Sequence, residues 1–298
     1  SDGYSDSTNV ALGNNALNSY STTSTCNVVV GIGAAANLSS GTYEGRSVIL
    51  GYNAACSVTY LNCTISIGAD SLARSSNPRD VVSIGYQSGT NPADATTNIN
   101  SVQNVFIGSC SGGSQGFGNN TAVGHASSAS LCYEGNTLWN TSLGAFSLRN
   151  QTTGAGNTAI GYNSMSSNLT GQYNTSLGAW ALTTNTTGNC NVAIGFRASS
   201  STTKACGTIS IGACALYSNT SGSCNTAIGY VALAGSSISS NNVAIGAFTL
   251  CRSTNGINTA IGSESMRYNT TGFSNTSLGY SSLRTNMTGN YNTAVGHA

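Results

Sequence analysis

A five-residue pattern of alternating small and larger apolar residues recurs along the whole chain. It consists of a polar residue, most often Asn, then a β-branched residue, a small residue, an aliphatic residue and Gly. Seventeen copies occur, and the regular ones start at positions 140, 157, 174, 191, 208, 225, 242, 258, 275 and 292. Period-2 alternation with β-branched residues predicts a short strand in each copy. We expect the two larger apolar side chains to point into the core and the small one to point outward.

The rest of each repeat predicts a second core-facing segment and a turn. The third residue after the Gly is Ala, Ser or Thr, and the fourth is Leu or Met in ten repeats. A turn of the type Asn-x-Thr/Ser-Gly often follows, as in residues 185–188. Abundant Gly, Asn, Ser and Thr disfavour a helix. The sequence therefore predicts an all-β fold, a parallel β-solenoid or β-roll of about 17 coils with one 17-residue repeat per coil.

The spacing of the repeats predicts one solenoid domain over residues 1–298. Residues 140–298 form regular coils, whereas some copies within residues 1–139 start further apart, as at Asn9 and Asn27 or at Val81 and Asn104. We expect the extra residues to form loops, above all at 88–103 and 126–139. Loops on a rigid scaffold are common recognition sites, although solvated insertions without a partner fit the sequence equally well.

These repeats resemble a known family. The sequence Asn-Thr-Ala-Ile-Gly-x-x-Ala-Leu-x-x-Asn-Thr-Thr-Gly is similar to the repeat of tail-fibre-like proteins from bacteria, phages and large viruses. It resembles more loosely the Val-Ala-Ile-Gly head repeats of trimeric autotransporter adhesins. The resemblance covers essentially the whole chain and is best over residues 140–298. It implies an extracellular solenoid used in fibres and adhesins, often as a homotrimer.

The composition limits the partners. Charged residues make up 6% of the chain and the net charge is +1, against about 25% charged residues in typical soluble domains. Such a chain lacks the excess positive charge with which proteins bind nucleic acid. No apolar run approaches the length that a membrane-spanning helix needs, so we expect no membrane insertion. The chain is 39% hydrophobic with regular placement, which argues against disorder.

The ten cysteines favour an oxidising location, extracellular or on a virion or cell surface. Cys190 and Cys206 fall at nearly the same place in consecutive repeats, and stacked coils bring such positions within disulfide range. We predict a disulfide between them, and a second between Cys56 and Cys63, which flank one turn.

The repeated Asn and Gly residues predict structural rows. Stacked Asn side chains can hydrogen-bond from coil to coil, and a ligand-facing row is the alternative. A fixed Gly after each strand indicates a positive φ or a close backbone approach. The clearest members of the two rows are Asn157, Asn174, Asn191, Asn225, Asn242, Gly161, Gly178, Gly195, Gly229 and Gly246.

The turns contain glycosylation sequons. We expect the turn Asn to face solvent, where a glycan would supply hydration that the few charges do not. The candidates are Asn168, Asn185, Asn219, Asn269 and Asn286.

The sequence contains no arrangement that predicts an enzyme. The eight acidic residues are scattered, no CxxC occurs, and the Gly residues follow the repeat rather than a phosphate-binding loop. We therefore expect no catalytic residues, no metal and no cofactor.

Three functions fit this pattern. The first is a structural subunit of an extracellular fibre that assembles with itself end to end, because Ser1 and Ala298 nearly complete one coil between successive molecules. The second is a trimeric fibre or adhesin shaft that binds surface glycans or a host receptor through the loops 88–103 and 126–139. The third is ice binding by a Thr array, which ranks lowest because the Thr is expected to share the inward face with the core aliphatics.

Overall fold

The computed structural model describes residues 3–5, 9–18, 26–38, 45–75, 77–90, 102–113, 118–129 and 138–297. The described residues contain eighteen three-residue strands and no helix. Seventeen of the strands, one in each repeat, pair in parallel at intervals of one repeat, which confirms the predicted all-β solenoid. The chain divides into two compact units, Ser1–Ala155 and Gly156–Ala298.

The first unit contains nine strands. They are β1 (Gly3–Ser5), β2 (Val10–Leu12), β3 (Val28–Val30), β4 (Val48–Leu50), β5 (Ile65–Ile67), β6 (Val82–Ile84), β7 (Val105–Ile107), β8 (Thr121–Val123) and β9 (Thr141–Leu143). Strands β2 to β9 pair in parallel, each with the next along the chain.

The second unit repeats this arrangement without long insertions. Its strands are β10 (Thr158–Ile160), β11 (Thr175–Leu177), β12 (Val192–Ile194), β13 (Ile209–Ile211), β14 (Thr226–Ile228), β15 (Val243–Ile245), β16 (Thr259–Ile261), β17 (Thr276–Leu278) and β18 (Thr293–Val295). All neighbouring pairs are parallel and in register with the repeat.

Insertions in the first unit leave the strand register unchanged. Val82 of β6 pairs with Val105 of β7 although an insertion separates them along the chain. The register is the same as that of Ile65 with Val82, which are one regular repeat apart. The number of residues between two strands therefore does not change their pairing. Most of the two predicted recognition loops, 88–103 and 126–139, lies outside the described residues, which omit 91–101 and 130–137.

The prediction of which side chains point inward was wrong. The middle residues of strands β2 to β17 are buried, as with Ala193 at 0% exposure, whereas the aliphatic residues beside them are half-buried or exposed, as with Leu177 at 44%. A shift of one residue exchanges the two faces of a strand. The middle strand residue shares the interior with the fourth residue after the Gly, as Ala227 does with Leu233.

The core is built from small strand residues and one large residue per coil. The fourth residue after the Gly is fully buried in most regular repeats, as the sequence predicts. These residues are Leu148, Met165, Leu182, Leu216, Leu233, Leu250 and Met266. The last four of these form one cluster with the middle residues Ala227, Ala244 and Ala260, so these coils share a core.

Buried hydroxyl groups form a continuous chain in the first unit. Ser66 Oγ donates to Ser71 Oγ at 3.0 Å, Ser71 to Ser83 at 3.1 Å, and Ser83 to Ser88 at 2.9 Å. Ser88 and Ser111 hydroxyls lie 3.1 Å apart. Because each hydroxyl has partners, the polar residues do not carry the cost of unpaired buried groups.

The first strand covers one edge of the sheet in the first unit. β1 pairs antiparallel with β2, and Tyr4 lies opposite Ala11. An edge strand presents unpaired backbone groups to any further strand, and β1 occupies those groups here. The expected end-to-end stacking onto this edge would require β1 to leave it.

Candidate functional site

The outward side of the parallel strands is the candidate site. We define the outer sheet face of each unit as the first and third residues of its parallel strands. These strands are β2 to β9 in the first unit and β10 to β18 in the second. All of these residues are Val, Ile, Leu or Thr, so the face contains no charged residue. In the first unit Leu12 is 52% exposed, and in the second unit Ile209 is 39% exposed. A surface of this kind is unusual, because solvated faces normally contain charges.

A row of aromatic residues follows the outer sheet face along the chain. The residue after the Gly is an exposed Tyr or Phe in several repeats, namely Tyr52, Tyr86, Tyr162, Phe196, Tyr230 and Tyr280. In the second unit the rings of Tyr162 and Trp180 pack edge to face at 5.2 Å, and those of Trp180 and Phe196 at 5.6 Å. This row extends the apolar surface beyond the strands.

The strand Thr residues lie on the outer sheet face. Thr175 and Thr276 are exposed and Thr158 is half-buried. The expectation that they point into the core was therefore wrong. This removes the reason for which ice binding ranked lowest.

The sequence indicated either a positive φ or a close backbone approach at the Gly after each strand, and both are found. Gly195 has a φ of +128°, where L-residues are strained. A Cβ atom there would lie 2.8 Å from the carbonyl carbon of Gly212 in the next coil. Gly161, Gly178, Gly229 and Gly246 share this geometry. The close spacing of coils at this corner thus requires Gly.

The Asn row links neighbouring coils inside the solenoid. The Oδ1 atom of Asn174 accepts a hydrogen bond from the backbone N–H of Asn191 at 2.9 Å, and its Nδ2 donates to the carbonyl of Gly188 at 2.8 Å. Asn174 is fully buried, and so are Asn157, Asn191, Asn225 and Asn242. This burial leaves the row with a structural role and excludes the ligand-facing alternative.

The glycosylation candidates are buried, and the expectation that they face solvent was wrong. Asn168, Asn185, Asn219 and Asn269 each have 0% exposure. Each Nδ2 donates to the carbonyl of the Gly three residues later, for example Asn219 to Gly222 at 2.9 Å. Asn286 makes the same bond to Gly289 at 3.1 Å. These side chains close the turns, so the four buried ones have no room for a glycan.

Neither predicted disulfide is present in the structure. The nine cysteines among the described residues are free thiols. Cys190 lies five residues before the Gly of its repeat, whereas Cys206 lies six residues before the Gly of its own. The two cysteines therefore do not occupy equivalent positions in their coils. Cys63 is exposed, and the Cys56 thiol donates to the carbonyl of Ala73 at 3.4 Å.

The described residues contain no cluster of three or more His, Cys, Asp or Glu residues able to hold a metal ion. Within the same residues no helix is long and apolar enough to cross a bilayer.

Comparison with protein-family models, curated proteins and solved structures finds no match for this chain.

Proposed function

We propose that this chain is a structural subunit of an extracellular fibre, in which copies associate side by side through the outer sheet face. The uncharged, apolar outer sheet face is the observation that carries the proposal. Monomeric soluble proteins rarely expose contiguous apolar patches larger than a few hundred Å². Burial of apolar area contributes about 25 cal/mol per Å², so a face repeated over many coils can drive stable association.

A second copy is the occupant that this face fits best. Its side chains repeat at the strand spacing of about 4.8 Å, so two copies present ridges of the same period to each other. With no charge on either face, no unpaired ion is buried on association. The resemblance to fibre and adhesin repeats supports a closed assembly such as a trimer.

End-to-end stacking is the weaker route to a fibre. It would join the coils of different molecules by the same parallel pairing that joins coils within one. Antiparallel pairing of β1 with β2 competes with such a junction. Side-by-side association requires no strand to move.

An extracellular, virion-surface or cell-surface location is part of the proposal. It is supported by the similarity of the repeats to those of fibre and adhesin proteins. In an adhesin shaft, the insertions at 88–103 and 126–139 would carry recognition of surface glycans or a host receptor.

The experiment compares charged substitutions on and off the face. Leu177→Lys with Ile209→Lys places charges on the outer sheet face, whereas Leu169→Lys changes a turn residue of similar exposure, 39%. We expect the unaltered protein and Leu169→Lys to form multimers of one size in analytical ultracentrifugation. The double variant should be a monomer with an unchanged circular dichroism spectrum. A monomeric unaltered protein at high concentration would contradict the proposal.

Ice binding is a second candidate, because the outward Thr residues share the outer sheet face with aliphatic residues. Thr158, Thr175, Thr226, Thr259 and Thr276 recur on this face in the second unit. This function predicts a monomer that shows thermal hysteresis, whereas the fibre subunit predicts a multimer without it. Measuring both properties on one sample separates the two.

A further inference from the structure

Three arginines of the second unit surround one tyrosine ring. The guanidinium carbons of Arg252, Arg267 and Arg284 lie 5.2, 5.4 and 5.2 Å from the centroid of the Tyr268 ring. The three arginines come from successive repeats, so they form a short row across neighbouring coils. Arg267 also lies 4.8 Å from the centroid of Phe248. We call these three arginines the arginine cluster.

One carboxylate only partly balances the arginine cluster. Glu264 Oε1 lies 2.8 Å from Arg267 Nη1, and its Oε2 lies 2.7 Å from Arg284 Nε. The Arg284 Nε is nevertheless not oriented to donate a hydrogen bond to Glu264. Three guanidinium groups against one carboxylate leave a net charge of +2. Like charges held this close repel one another, and an anion bound among them would relieve that repulsion.

The arginine cluster is open to solvent and held in place. The side chains of Arg267 and Arg284 are 27% and 39% exposed, and Arg252 is exposed. All three guanidinium groups lie against the Tyr268 ring, and Glu264 also hydrogen-bonds to Arg267, so binding requires less further ordering. Guanidinium groups match carboxylate and sulfate oxygens with paired hydrogen bonds.

We propose that the arginine cluster binds an acidic oligosaccharide through its carboxylate or sulfate groups. An exposed ring beside the cluster supports a sugar as the ligand. Tyr230 is 55% exposed and packs edge to face against Phe248 at 5.3 Å, so its outer surface is available to an apolar sugar face. The three arginines are not part of the outer sheet face, although Tyr230 belongs to the aromatic row beside it, so the arginine substitutions test this site separately from the fibre proposal.

The small footprint favours an oligosaccharide over a nucleic acid. Three cations in a row span about 10 Å at the coil spacing. Proteins that bind nucleic acid by charge contact on the order of 6–10 phosphates, and this chain has a net charge of only +1. A single-stranded oligonucleotide is therefore the competing ligand in the test.

A matched control for the test exists in the first unit. Arg149 lies five residues after its Gly, as do Arg267 and Arg284, and its guanidinium carbon lies 5.1 Å from the centroid of Phe146. It reproduces one arginine on one ring without the neighbouring arginines. Arg149→Gln therefore reports the effect of losing an isolated surface cation.

Titration calorimetry with four probes tests the proposal: sialyllactose, a heparin-derived hexasaccharide, lactose and a single-stranded oligonucleotide. We expect one of the two acidic sugars to bind more tightly than lactose and the oligonucleotide. Arg267→Gln with Arg284→Gln should weaken that binding roughly tenfold or more, and Arg149→Gln should leave it unchanged. Glu264→Gln should tighten it, because a competing carboxylate is removed. Circular dichroism checks the fold of each variant.

The sialylated and sulfated probes separate carboxylate from sulfate recognition. The proposal would be overturned by equal binding of lactose, by tighter binding of the oligonucleotide, or by the absence of binding to both acidic sugars. Equal weakening in Arg149→Gln would also overturn it, because the effect would then be one of surface charge alone.

Discussion

The ring of Phe106 fills the space that a side chain at Gly112 would need. A Cβ atom on Gly112 would overlap ring atoms of Phe106. Phe106 is the middle residue of β7, and Gly112 is the fourth residue after the Gly of the same repeat. In most regular repeats the middle residue is small and the fourth is Leu or Met, as with Ala227 and Leu233. Here the large side chain is at the middle position and the small residue is at the fourth position, so the interior of the coil remains filled.

The same exchange occurs in two earlier repeats. Ile49 in the middle of β4 accompanies Ala55, and both side chains are fully buried. Val29 in β3 likewise accompanies Ala35. In these three repeats a larger middle residue thus accompanies a smaller fourth residue.

We expect substitutions at Phe106 and Gly112 to compensate each other. Phe106→Ala should cost about 3–5 kcal/mol by leaving a cavity, and Gly112→Leu alone about 1–3 kcal/mol or more by overpacking. The backbone already has the φ of +63° that buried Leu residues adopt at this position elsewhere, as Leu148 does at +47°. The double variant should therefore be more stable than the sum of the single changes by about 1–3 kcal/mol. Urea denaturation measures this, with the exposed Phe196→Ala as control, and strictly additive effects would contradict it.

Sequence alone predicted the strands, their parallel stacking and the buried Leu and Met row, because a period of one repeat and alternation within it leave little choice. It did not predict which side of each strand faces inward. Alternation is compatible with both faces, and the usual preference for burying the larger side chain selected the wrong one. The exchange between Ile49 and Ala55 was the available signal, since only residues sharing one interior need to compensate in size. The arginine cluster was missed because its members are separated by whole repeats.

The Gly row should tolerate no side chain within a stack of coils. Gly195→Ala introduces a Cβ 2.8 Å from a backbone carbon of Gly212 at a φ of +128°. Gly296→Ala has a similar φ of +133° but meets nothing within 4 Å. Both variants carry the backbone strain of about 1–2 kcal/mol, and only the first must also push coils apart. Gly195→Ala should therefore lower the thermal midpoint much more than Gly296→Ala, and equal effects would show that strain alone requires Gly.

Removal of one Asn from the buried row should destabilise the second unit. Asn174→Ala leaves the buried N–H of Asn191 without its side-chain acceptor, whereas the carbonyl of Gly188 keeps the Asn185 Nδ2 donor. An unpaired buried N–H costs about 1–3 kcal/mol, so a loss of that size is expected. Asn14→Ala, at an exposed position, should change the stability by less than about 0.5 kcal/mol. Denaturant titration of both variants checks this, and a tolerated Asn174→Ala would show that the row is dispensable.

Cys251 should react slowly with alkylating reagents at neutral pH. Burial raises the pKa of its thiol above the usual 9.0, although Arg267 and Arg252 oppose the shift. Because the thiolate is the reactive form, a raised pKa lowers the reactive fraction at pH 8 and moves the rise in rate to higher pH. Arg267→Gln removes an opposing cation and should raise that pKa further. Mass spectrometry of iodoacetamide labelling over a pH series measures both, with the exposed Cys224 as reference. Faster labelling of Cys251 than of Cys224 would contradict the prediction.

Glycans should be absent from the buried turn sequons of the folded protein. Asn185 is fully buried, and its Nδ2 donates to Gly188 at 3.1 Å and to Asn168 Oδ1 at 2.9 Å. A glycan on Nδ2 would break both bonds and could not fit between coils, so chains modified there should fail to fold. The sequon at Asn150 is exposed and can accept a glycan without loss of structure. In protein secreted from a glycosylating host, site-resolved mass spectrometry should find modification at Asn150 and none at Asn185. Occupied Asn185 in folded, protease-resistant protein would contradict the buried placement of this turn.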